Sequence, residues 1–489
     1  MKLYLKGHEY KYAVEQMIST LFPGEKPEYS GRPFSDSGMA VSLSKGEKYT
    51  TAVCRYYQNG EKHIGRSSAA NVFFEGETER DSVSQRIIKT AVYRAVISSG
   101  MARPAWGALT GVRPGKLMLG TIRETEGKEE AVRRFMDEYD VSRERAELCY
   151  STSLKTSEAA RSLKEKDICL YVGIPFCPTR CAYCSFVSQS VEKSMKLIEP
   201  YLEALGQEIR ALAEQIRKSG LNPVSVYFGG GTPTTLSASQ LDALCTLLEK
   251  EIDLSHLTEY TVEAGRPDTI TEEKLLVLKK HGVTRVSVNP QTMEDAVLEA
   301  IGRKHTAADV LSALEKVRKV GGFDVNMDLI AGLPKDTFEG FAETMRTVAA
   351  LNPENITVHT LSLKRGSGIT RNHTEIPSPA EVSQMLEYAY SLLKTNGFEP
   401  YYLYRQKNMS GGFENTGWAR DGKTNLYNIC MMEEICGILS AGGGGSTKLI
   451  KSGGGKNLRI TAPKYPLEYI ENIRKTCEEK SKIGEFYDV

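Results

Sequence analysis

The sequence predicts an α/β protein built around a partial (β/α)6, TIM-like barrel, with an N-terminal α/β domain and a C-terminal α+β cap. Between residues 167 and 363, short β-branched runs alternate with longer amphipathic segments, which is typical of βα units around a parallel sheet. In addition, 489 residues exceed what one hydrophobic core usually supports. We therefore expect three domains, at 1–165, 166–376 and 377–489.

Six candidate strands define the predicted barrel. They are ICLYVGI from Ile168, VSVYF from Val224, EYTVEA from Glu259, TRVSVN from Thr284, DVNMDLI from Asp324 and ITVHTLSL from Ile356. Helical patterns occupy 191–219, 237–251, 271–281 and 337–350. In such barrels the loops at the carboxyl ends of the strands carry the chemistry, so unusual motifs at those ends are candidate site residues.

The flanking regions differ from the barrel in composition. The first 165 residues combine charged amphipathic helices with strand-like runs such as KYTTAVCRYY, which is enough for a separate α/β domain. The C-terminal region begins with a helical pattern at 380–395 and then becomes aromatic and glycine-rich. Its segment AGGGGSTKLIKSGGGKN, at 441–457, is compatible with a linker or with a tight hairpin.

Charge and hydropathy exclude some classes of partner. Lys plus Arg (63) almost balance Asp plus Glu (62), which gives no reason to expect nucleic acid or an acidic membrane surface as the main partner. The N-terminus MKLYLKGHEYKYAVEQ lacks the apolar core of a signal peptide, and no stretch suggests a spanning helix. We therefore expect a cytoplasmic protein, in which most of the ten cysteines are reduced, buried thiols.

One stretch, YVGIPFCPTRCAYCSF, carries three cysteines within eight residues: Cys177, Cys181 and Cys184. A structural zinc site needs four ligands, and no second CxxC or HxxxH lies nearby to complete one. Three thiolates in a tight loop suit an iron–sulfur cluster, whose irons prefer cysteine sulfur. A three-cysteine set leaves one iron of a four-iron cluster open, which is typical of a reactive site.

The pattern CxxxCxΦC, formed by Cys177, Cys181, Tyr183 and Cys184, resembles the signature of the radical S-adenosylmethionine enzymes. That resemblance implies a [4Fe-4S] cluster on the three cysteines and S-adenosylmethionine chelated to the open iron. It also implies that the reduced cluster transfers one electron to the sulfonium. The 5′-deoxyadenosyl radical that results abstracts hydrogen from a substrate.

Polar residues and glycines at the other strand ends extend this interpretation. The second strand runs into GGGTPT, which has more glycines than an ordinary turn needs and allows the backbone to approach a ligand closely. Glu263 ends the third strand, where a buried carboxylate requires a partner. Gln291 and Arg303 follow the fourth strand, and Asp328 lies in the fifth.

The order and spacing of these residues, across roughly 165–365, resemble the oxygen-independent coproporphyrinogen III oxidase family, including its relatives that chaperone or process haem. The resemblance implies that Glu263 and Asp328 reach the ribose and the positively charged part of S-adenosylmethionine. It implies that Tyr183 and Ile330 pack against the adenine. The other residues that it places against the cofactor are Tyr171, Gly230, Gly231, Thr232, Gln291 and Arg303.

Three departures from the family pattern concern the substrate. The oxidase typically has histidine where this chain has Gly173, and often a further cysteine where this chain has Ser185. The haem-chaperone branch usually carries HNxxYW, where this chain has NLYNIC from Asn425. The long N-terminal domain, WGALTGVRPGK from Trp106 and YYLYRQKNMSGGFENTGWA from Tyr401 resemble the HemZ-type, coproporphyrinogen dehydrogenase-like branch over nearly the whole chain.

That branch implies an oxygen-independent oxidative decarboxylation of coproporphyrinogen III to protoporphyrinogen IX in haem biosynthesis. The implied partners are a tetrapyrrole, coproporphyrinogen III or haem, and an electron donor such as flavodoxin or ferredoxin. Cations where barrel and cap meet are candidates for the substrate propionates: Lys364, Arg365, Arg371, Arg405 and Lys407. Aromatic residues there form either a flat wall or core: Tyr401, Tyr402, Tyr404, Phe413 and Trp418.

Three other functions remain as alternatives. A haem-processing radical relative would consume haem instead of coproporphyrinogen. A haem-binding chaperone would retain haem without cleaving S-adenosylmethionine. A zinc-stabilised binding module would contain zinc and neither iron nor acid-labile sulfide.

Overall fold

The computed structural model describes residues 1–71, 77–184, 189–190, 194–363, 367–371, 374–406, 410–451 and 457–487. Within these residues the chain divides into two units. The first contains Met1–Tyr150, Arg405 and Gly411–Phe413, and the second contains Ser151–Tyr404 and the chain from Glu414 onward. The predicted division into three domains stays a prediction.

The first unit is an α/β structure with one five-stranded sheet, in the order β2-β1-β3-β4-β5. Its strands span Lys2–Lys6 (β1), Glu28–Tyr29 (β2), Gly38–Lys45 (β3), Tyr49–Gln58 (β4) and Glu61–Ala70 (β5). Its helices span Lys11–Leu21 (α1), Glu77–Ile97 (α2), Pro114–Arg123 (α3), Lys128–Tyr139 (α4) and Arg143–Ser162 (α5), the last continuing into the second unit. Residues of β4 are buried alternately, so one face of the sheet forms the core with α1 and α2.

In the second unit all six predicted strands are present, and they pair in parallel in chain order. Two-residue strands at Phe176–Cys177 (β7) and Gln189–Ser190 (β8) pair within the loop after the first of them. The six span Asp167–Ile174 (β6), Asn222–Gly230 (β9), Glu259–Val262 (β10), Arg285–Ser287 (β11), Asp324–Ala331 (β12) and Asn355–Thr360 (β13). Together with the predicted connecting helices, they confirm the partial (β/α)6 barrel.

The helices of this unit begin where the sequence provides capping residues. The side chains of Ser237, Thr271 and Thr337 each accept a hydrogen bond from a backbone N–H in the first turn, which stabilises a helix start. The first six helices of this unit after α5 span Ile198–Lys218 (α6), Ala238–Glu251 (α7), Glu272–Lys280 (α8), Asp295–Ala300 (α9), Ala307–Val320 (α10) and Phe338–Ala350 (α11). The later ones span Gly368–Arg371 (α12), Pro379–Thr395 (α13), Leu426–Glu433 (α14), Pro466–Glu471 (α15), Ile473–Glu478 (α16) and Ser481–Tyr487 (α17).

The residues predicted to form the C-terminal cap add five strands to the barrel sheet. The complete order is β14-β15-β13-β12-β11-β10-β9-β6-β16-β17-β18. Strand β16 pairs with β6 in parallel, so it is a seventh parallel strand that the sequence analysis missed. The five strands are Glu399–Arg405 (β14), Glu414–Ala419 (β15), Gly437–Ala441 (β16), Ser446–Leu449 (β17) and Leu458–Thr461 (β18). None of the described helices has both the length and the apolar character that crossing a membrane requires.

The glycine run at 442–445 forms the turn of a tight hairpin between β16 and β17. Of the two structures predicted for this run, it is therefore the hairpin and not the linker. Gly442 has a φ of 104°, and a Cβ there would lie 2.4 Å from the Gly173 carbonyl oxygen, so only glycine fits. A Cβ at Gly173 would in turn lie 3.1 Å from the Gly443 oxygen. The close turn therefore explains why a small residue occupies position 173. The second glycine run, at 453–455, lies outside the described residues.

A buried ion pair contacts the backbone at the end of β16, next to this turn. Lys480 Nζ lies 2.6 Å from Glu208 Oε1, and both side chains are almost fully buried. The other Glu208 oxygen accepts hydrogen bonds from the Gly442 N–H at 2.7 Å and from the Tyr469 hydroxyl. Lys480 also donates to the Ser440 carbonyl at 2.8 Å. Two of these contacts, from Gly442 and to Ser440, connect the pair to the end of β16, and the other two join α6 to the C-terminal helical region.

Candidate active site

Three cysteines lie on the loop that follows β6. Cys177 ends β7, and Cys181 and Cys184 lie in the turn after it. The Cys184 N–H donates to the Cys181 carbonyl at 3.1 Å, and the Ala182 N–H donates to the Ile301 carbonyl at 2.9 Å. These three thiols are partly exposed, whereas six of the other seven cysteines are buried, as predicted, and one is half-buried. The loop therefore presents its thiols to a ligand instead of packing them into the core.

The spacing of the three thiols fits a cluster better than a single ion. Ligands that share one ion at about 2.3 Å lie at most about 4.6 Å apart. Among the described residues, only one set of three potential ligands has all its ligand atoms within 4.8 Å, and that set contains none of these cysteines. At least one pair of the three thiols is therefore more than 4.8 Å apart, too far for all three to share one ion, whereas Fe–S clusters are held by cysteine thiolates. The donor set therefore fits a [4Fe-4S] cluster that keeps one iron open.

The glycine segment after β9 packs directly on the cysteine loop. The Gly231 N–H donates to the Ile174 carbonyl at 2.8 Å, and the Thr232 N–H donates to the Phe176 carbonyl at 2.7 Å. A Cβ at Gly231 would lie 2.4 Å from the Phe176 oxygen. The Thr232 hydroxyl also lies 3.6 Å from Cys177 Sγ. The segment thus has a structural need for glycine, in addition to the predicted approach to a ligand.

Glu263 follows β10 at the carboxyl end of the strand. Its Oε1 accepts a hydrogen bond of 2.6 Å from the Tyr227 hydroxyl. Burial raises the pKa of Glu263 to about 7, although the Tyr227 hydrogen bond lowers it. A Cβ at Gly229 would lie 3.2 Å from this carboxylate, so glycine leaves room for it. Because its pKa is about 7, the carboxyl group of Glu263 gains or loses its proton near neutral pH.

The stability of the protein is expected to fall with rising pH because of Glu263. Its pKa is about 7 in the folded state and 4.5 ordinarily, so between these values the folded state binds more protons than the unfolded state. The stabilising contribution is complete below pH 4.5 and is lost as pH rises through 7. The free energy of unfolding of Glu263→Gln, measured by urea denaturation, should depend less on pH than that of the wild type, by up to about 1.4 kcal/mol per pH unit.

Tyr227→Phe is the matched variant for this measurement. It removes the hydrogen bond that lowers the Glu263 pKa, so the loss of stability should move to higher pH. Equal pH slopes for the wild type and Glu263→Gln would contradict the assignment to Glu263.

Asp328, on β12, lies in a network of amides. Its carboxylate accepts hydrogen bonds of 2.8 Å from Asn289 Nδ2 and from Asn326 Nδ2, and its N–H donates to Asn289 Oδ1 at 3.1 Å. Burial alone would raise its pKa, but the neighbouring His359 ring and the hydrogen bonds outweigh burial and hold the pKa below the usual value. Asp328 is therefore a persistent negative charge on a half-buried side chain.

Backbone hydrogen bonds join Gln291 to β12, the strand that carries Asp328. The Gln291 N–H donates to the Asp328 carbonyl at 2.9 Å, and its carbonyl accepts from the Ile330 N–H at 3.0 Å. Its φ of 69° is uncommon for a residue other than glycine, and such strained residues cluster at functional sites. Its side chain is buried.

Arg303 connects the cysteine loop to the barrel. Its buried guanidinium donates to the carbonyls of Asn289 and Gly265, at 2.6 and 3.2 Å. Burial opposes its charge, but the neighbouring Tyr183 and a hydrogen bond to Cys181 offset burial and raise its pKa. A fixed positive charge therefore lies beside one of the cluster cysteines.

Aromatic and apolar residues form the remaining side of the candidate site. Tyr171 stacks with Tyr227 and Tyr427, at centroid distances of 6.4 and 6.2 Å. Tyr183 and Ile330 pack in one hydrophobic cluster. The structure thus brings together the two residues predicted to contact an adenine.

Some predicted substrate contacts do not hold. Arg405 was a candidate for binding propionate, but it is buried and its guanidinium donates to the carbonyls of Leu109 and Gly412. It also lies 5.0 Å above the Trp106 ring, so it is a structural residue. Four of the five aromatic candidates are core residues, with Tyr404 only half-buried: Tyr401, Tyr402, Phe413 and Trp418.

The other candidates from the sequence are placed as follows. Arg371 is exposed, at the end of α12. Ser185, Lys364, Arg365 and Lys407 lie outside the described residues.

The structure adds four polar residues to those predicted: Tyr227, Asn289, His359 and Tyr427. Tyr227 precedes the glycine segment by two residues, and Asn289 precedes Gln291 by two. Since alternate residues of a strand point to one face, a search at spacing two along β9 would have found Tyr227, whereas Asn289 lies beyond the end of β11. Tyr427 comes from α14, far along the chain, and no spacing rule points to it.

The chain is similar in sequence to known proteins. The radical SAM superfamily model matches residues 171–348. The chain is 36% identical over 482 residues to the oxygen-independent coproporphyrinogen-III oxidase-like protein HemZ of Bacillus subtilis, covering 96% of this chain and 95% of that protein. It is 31% identical to the heme chaperone HemW of Bacillus subtilis, over 51% of this chain and 67% of HemW.

Among solved structures, the coproporphyrinogen III oxidase HemN of Escherichia coli, described as a radical SAM enzyme, superposes with a TM-score of 0.52 and 22% identity. The superposition covers 69% of this chain and 82% of HemN. At this identity the likeness establishes the shared fold.

Proposed function

Because this chain belongs to the HemZ-like, coproporphyrinogen oxidase-related family of the radical SAM superfamily, we propose that it catalyses the oxygen-independent oxidative decarboxylation of coproporphyrinogen III to protoporphyrinogen IX. Its cofactors are a [4Fe-4S] cluster and S-adenosylmethionine. For each of two propionate side chains, the reaction removes one hydrogen atom and one electron and releases carbon dioxide, which leaves a vinyl group. The electron passes to a one-electron acceptor.

The observation that carries this proposal is the convergence of partly exposed thiols and charged side chains at the carboxyl ends of neighbouring parallel strands. Cys177, Cys181 and Cys184 hold the cluster, and Arg303 fixes the position of Cys181. When bound, the two cofactors together supply a one-electron reduction of a carbon–sulfur bond and abstraction of a hydrogen atom.

Two carboxylates balance the positive charge of S-adenosylmethionine. Asp328 carries a persistent negative charge, and Glu263 becomes charged as pH rises through about 7. Both accept hydrogen bonds from ribose hydroxyls, which binds the nucleoside in one orientation. Tyr183 and Ile330 cover the adenine. The same cofactor is contacted by Tyr171, Gly230, Gly231, Thr232, Gln291 and Arg303.

An anaerobic assay of the full-length, reconstituted protein tests this function. The mixture contains S-adenosylmethionine, a low-potential reductant and coproporphyrinogen III, and both 5′-deoxyadenosine and tetrapyrroles are measured. We expect two molecules of 5′-deoxyadenosine for each protoporphyrinogen IX. If 5′-deoxyadenosine forms while coproporphyrinogen III stays unchanged, the proposed substrate is wrong.

A haem chaperone is the second candidate, because HemW resembles half of this chain. In place of the HNxxYW pattern that is usual in the chaperone branch, this chain has NLYNIC, which contains no histidine and begins α14, where Asn425 caps the helix. Stoichiometric retention of haem without cleavage of S-adenosylmethionine would favour the chaperone over the enzyme.

A further inference from the structure

A second set of three cysteines lies inside the second unit, apart from the cysteine loop. Cys169 is on β6, Cys430 is on α14, and Cys436 immediately precedes β16. We call these three residues the thiol cluster. The sequence predicts that most cysteines of this chain are buried thiols, and all three of these are buried. Their convergence from three distant segments was not expected.

The distances within the thiol cluster match ligands that share one ion. All three Sγ atoms lie within 4.8 Å of one another, and Cys169 Sγ lies 3.7 Å from Cys436 Sγ. Two thiolates on one tetrahedral zinc, each at about 2.3 Å, are separated by about 3.8 Å. A disulfide needs about 2.05 Å and would engage only two of the three.

The surroundings of the thiol cluster are apolar and aromatic. Ile438 and Tyr427 are buried against it, and Tyr171 and Tyr227 pack on the same group. No histidine, aspartate or glutamate of the described residues joins the set at ligand distance. Sulfur is thus the main donor offered, and soft thiolates in a dry environment select thiophilic metals.

We propose that Cys169, Cys430 and Cys436 bind one thiophilic d10 metal ion, Zn(II) or Cu(I), at a site separate from the iron–sulfur cluster. Each thiol releases its proton to solvent on binding, and the ion offsets two of the three thiolate charges as Zn(II), or one as Cu(I). The Tyr427 hydroxyl is buried and has no hydrogen bond among the described residues, and its ring packs in the same cluster as the three thiols.

The position of the ion indicates a structural role. It would connect β6, the first barrel strand, to α14 and to the residue before β16, its parallel neighbour. Cys169 is also two residues from Tyr171, on the same face of β6. An ion there supports the strand that leads into the cysteine loop.

The test uses the full-length chain with Cys177, Cys181 and Cys184 replaced by alanine, which removes the iron–sulfur background. After reduction and chelation, Zn(II) or Cu(I) is titrated against a chromophoric chelator. We expect one equivalent of one of these ions per chain and a higher unfolding temperature with the ion than without it. Binding of neither ion would overturn the proposal.

Variants in the same background locate the ion. Cys430→Ala and Cys436→Ala should each weaken binding at least tenfold, whereas Cys54→Ala, which removes a buried thiol of the first unit, should not. Unchanged binding in Cys430→Ala overturns the site. If these variants fail to fold, X-ray absorption of the metal-loaded parent decides: three sulfur neighbours at about 2.3 Å support the site, and a shell of only nitrogen and oxygen refutes it.

Discussion

Cys181→Ser is expected to abolish both the iron–sulfur cluster and the cleavage of S-adenosylmethionine. A serine oxygen is a hard ligand that replaces a thiolate poorly on iron, and Cys181 is also the cysteine beside Arg303. After anaerobic reconstitution we expect at least a tenfold loss of iron and acid-labile sulfide, and no 5′-deoxyadenosine above background.

Cys245→Ser is the matched control for this variant. Cys245 is buried on α7, where its Sγ lies 3.4 Å from the Tyr260 hydroxyl. The Cys245→Ser protein should therefore keep its full iron content. A cluster of normal stoichiometry in Cys181→Ser would show that the triplet does not hold it.

Lys480→Met is expected to lower the free energy of unfolding by about 3–5 kcal/mol, because it leaves Glu208 as an uncompensated buried charge. The Glu208 side chain is fully buried, so solvent offers no replacement for the lost ammonium group. Urea denaturation of the second unit within the full-length protein measures the effect.

Two further variants separate charge from packing. Lys482 pairs with Glu479 at the surface, so Lys482→Met should have little effect. The double variant Glu208→Gln/Lys480→Met removes both charges and should recover most of the loss. A single variant as stable as the wild type would show that the ion pair contributes nothing to stability.

The barrel strands were predictable because they are buried on both faces. Such strands appear in a sequence as continuous β-branched runs, and all six runs became strands with small shifts at their ends. The helices between them were predictable from amphipathic spacing and from capping residues such as Ser237. Local sequence contained enough information in both cases.

Strand β16 could not be predicted in this way. It has five residues, GILSA, and its pairing with β6 joins positions about 270 residues apart in the chain. Glycine after it suggested a linker as readily as a turn. Its identity as a parallel barrel strand is set by tertiary contacts, among them the Gly442 approach to Gly173.

The candidate site was predictable to the extent that it consists of motifs. The cysteine loop, the glycine segment and Glu263 follow strands directly, so their common edge followed from the parallel sheet. Asn289 and His359 carry no motif, although they surround Asp328. The thiol cluster was not predictable, since its members come from three separate segments. Contact of the predicted residues with S-adenosylmethionine stays a prediction.

The parallel pairing of β6 with β16 has a consequence for biosynthesis. Cys169 and Cys436, beside these strands, are 267 positions apart, which at about 5–20 residues per second corresponds to roughly 15–50 s of translation. During that time the strand that leads into the cysteine loop has one edge without its native partner, and such edges promote aggregation. The cysteine loop therefore follows a strand that is complete on both sides only after residues 437–441 have left the ribosome.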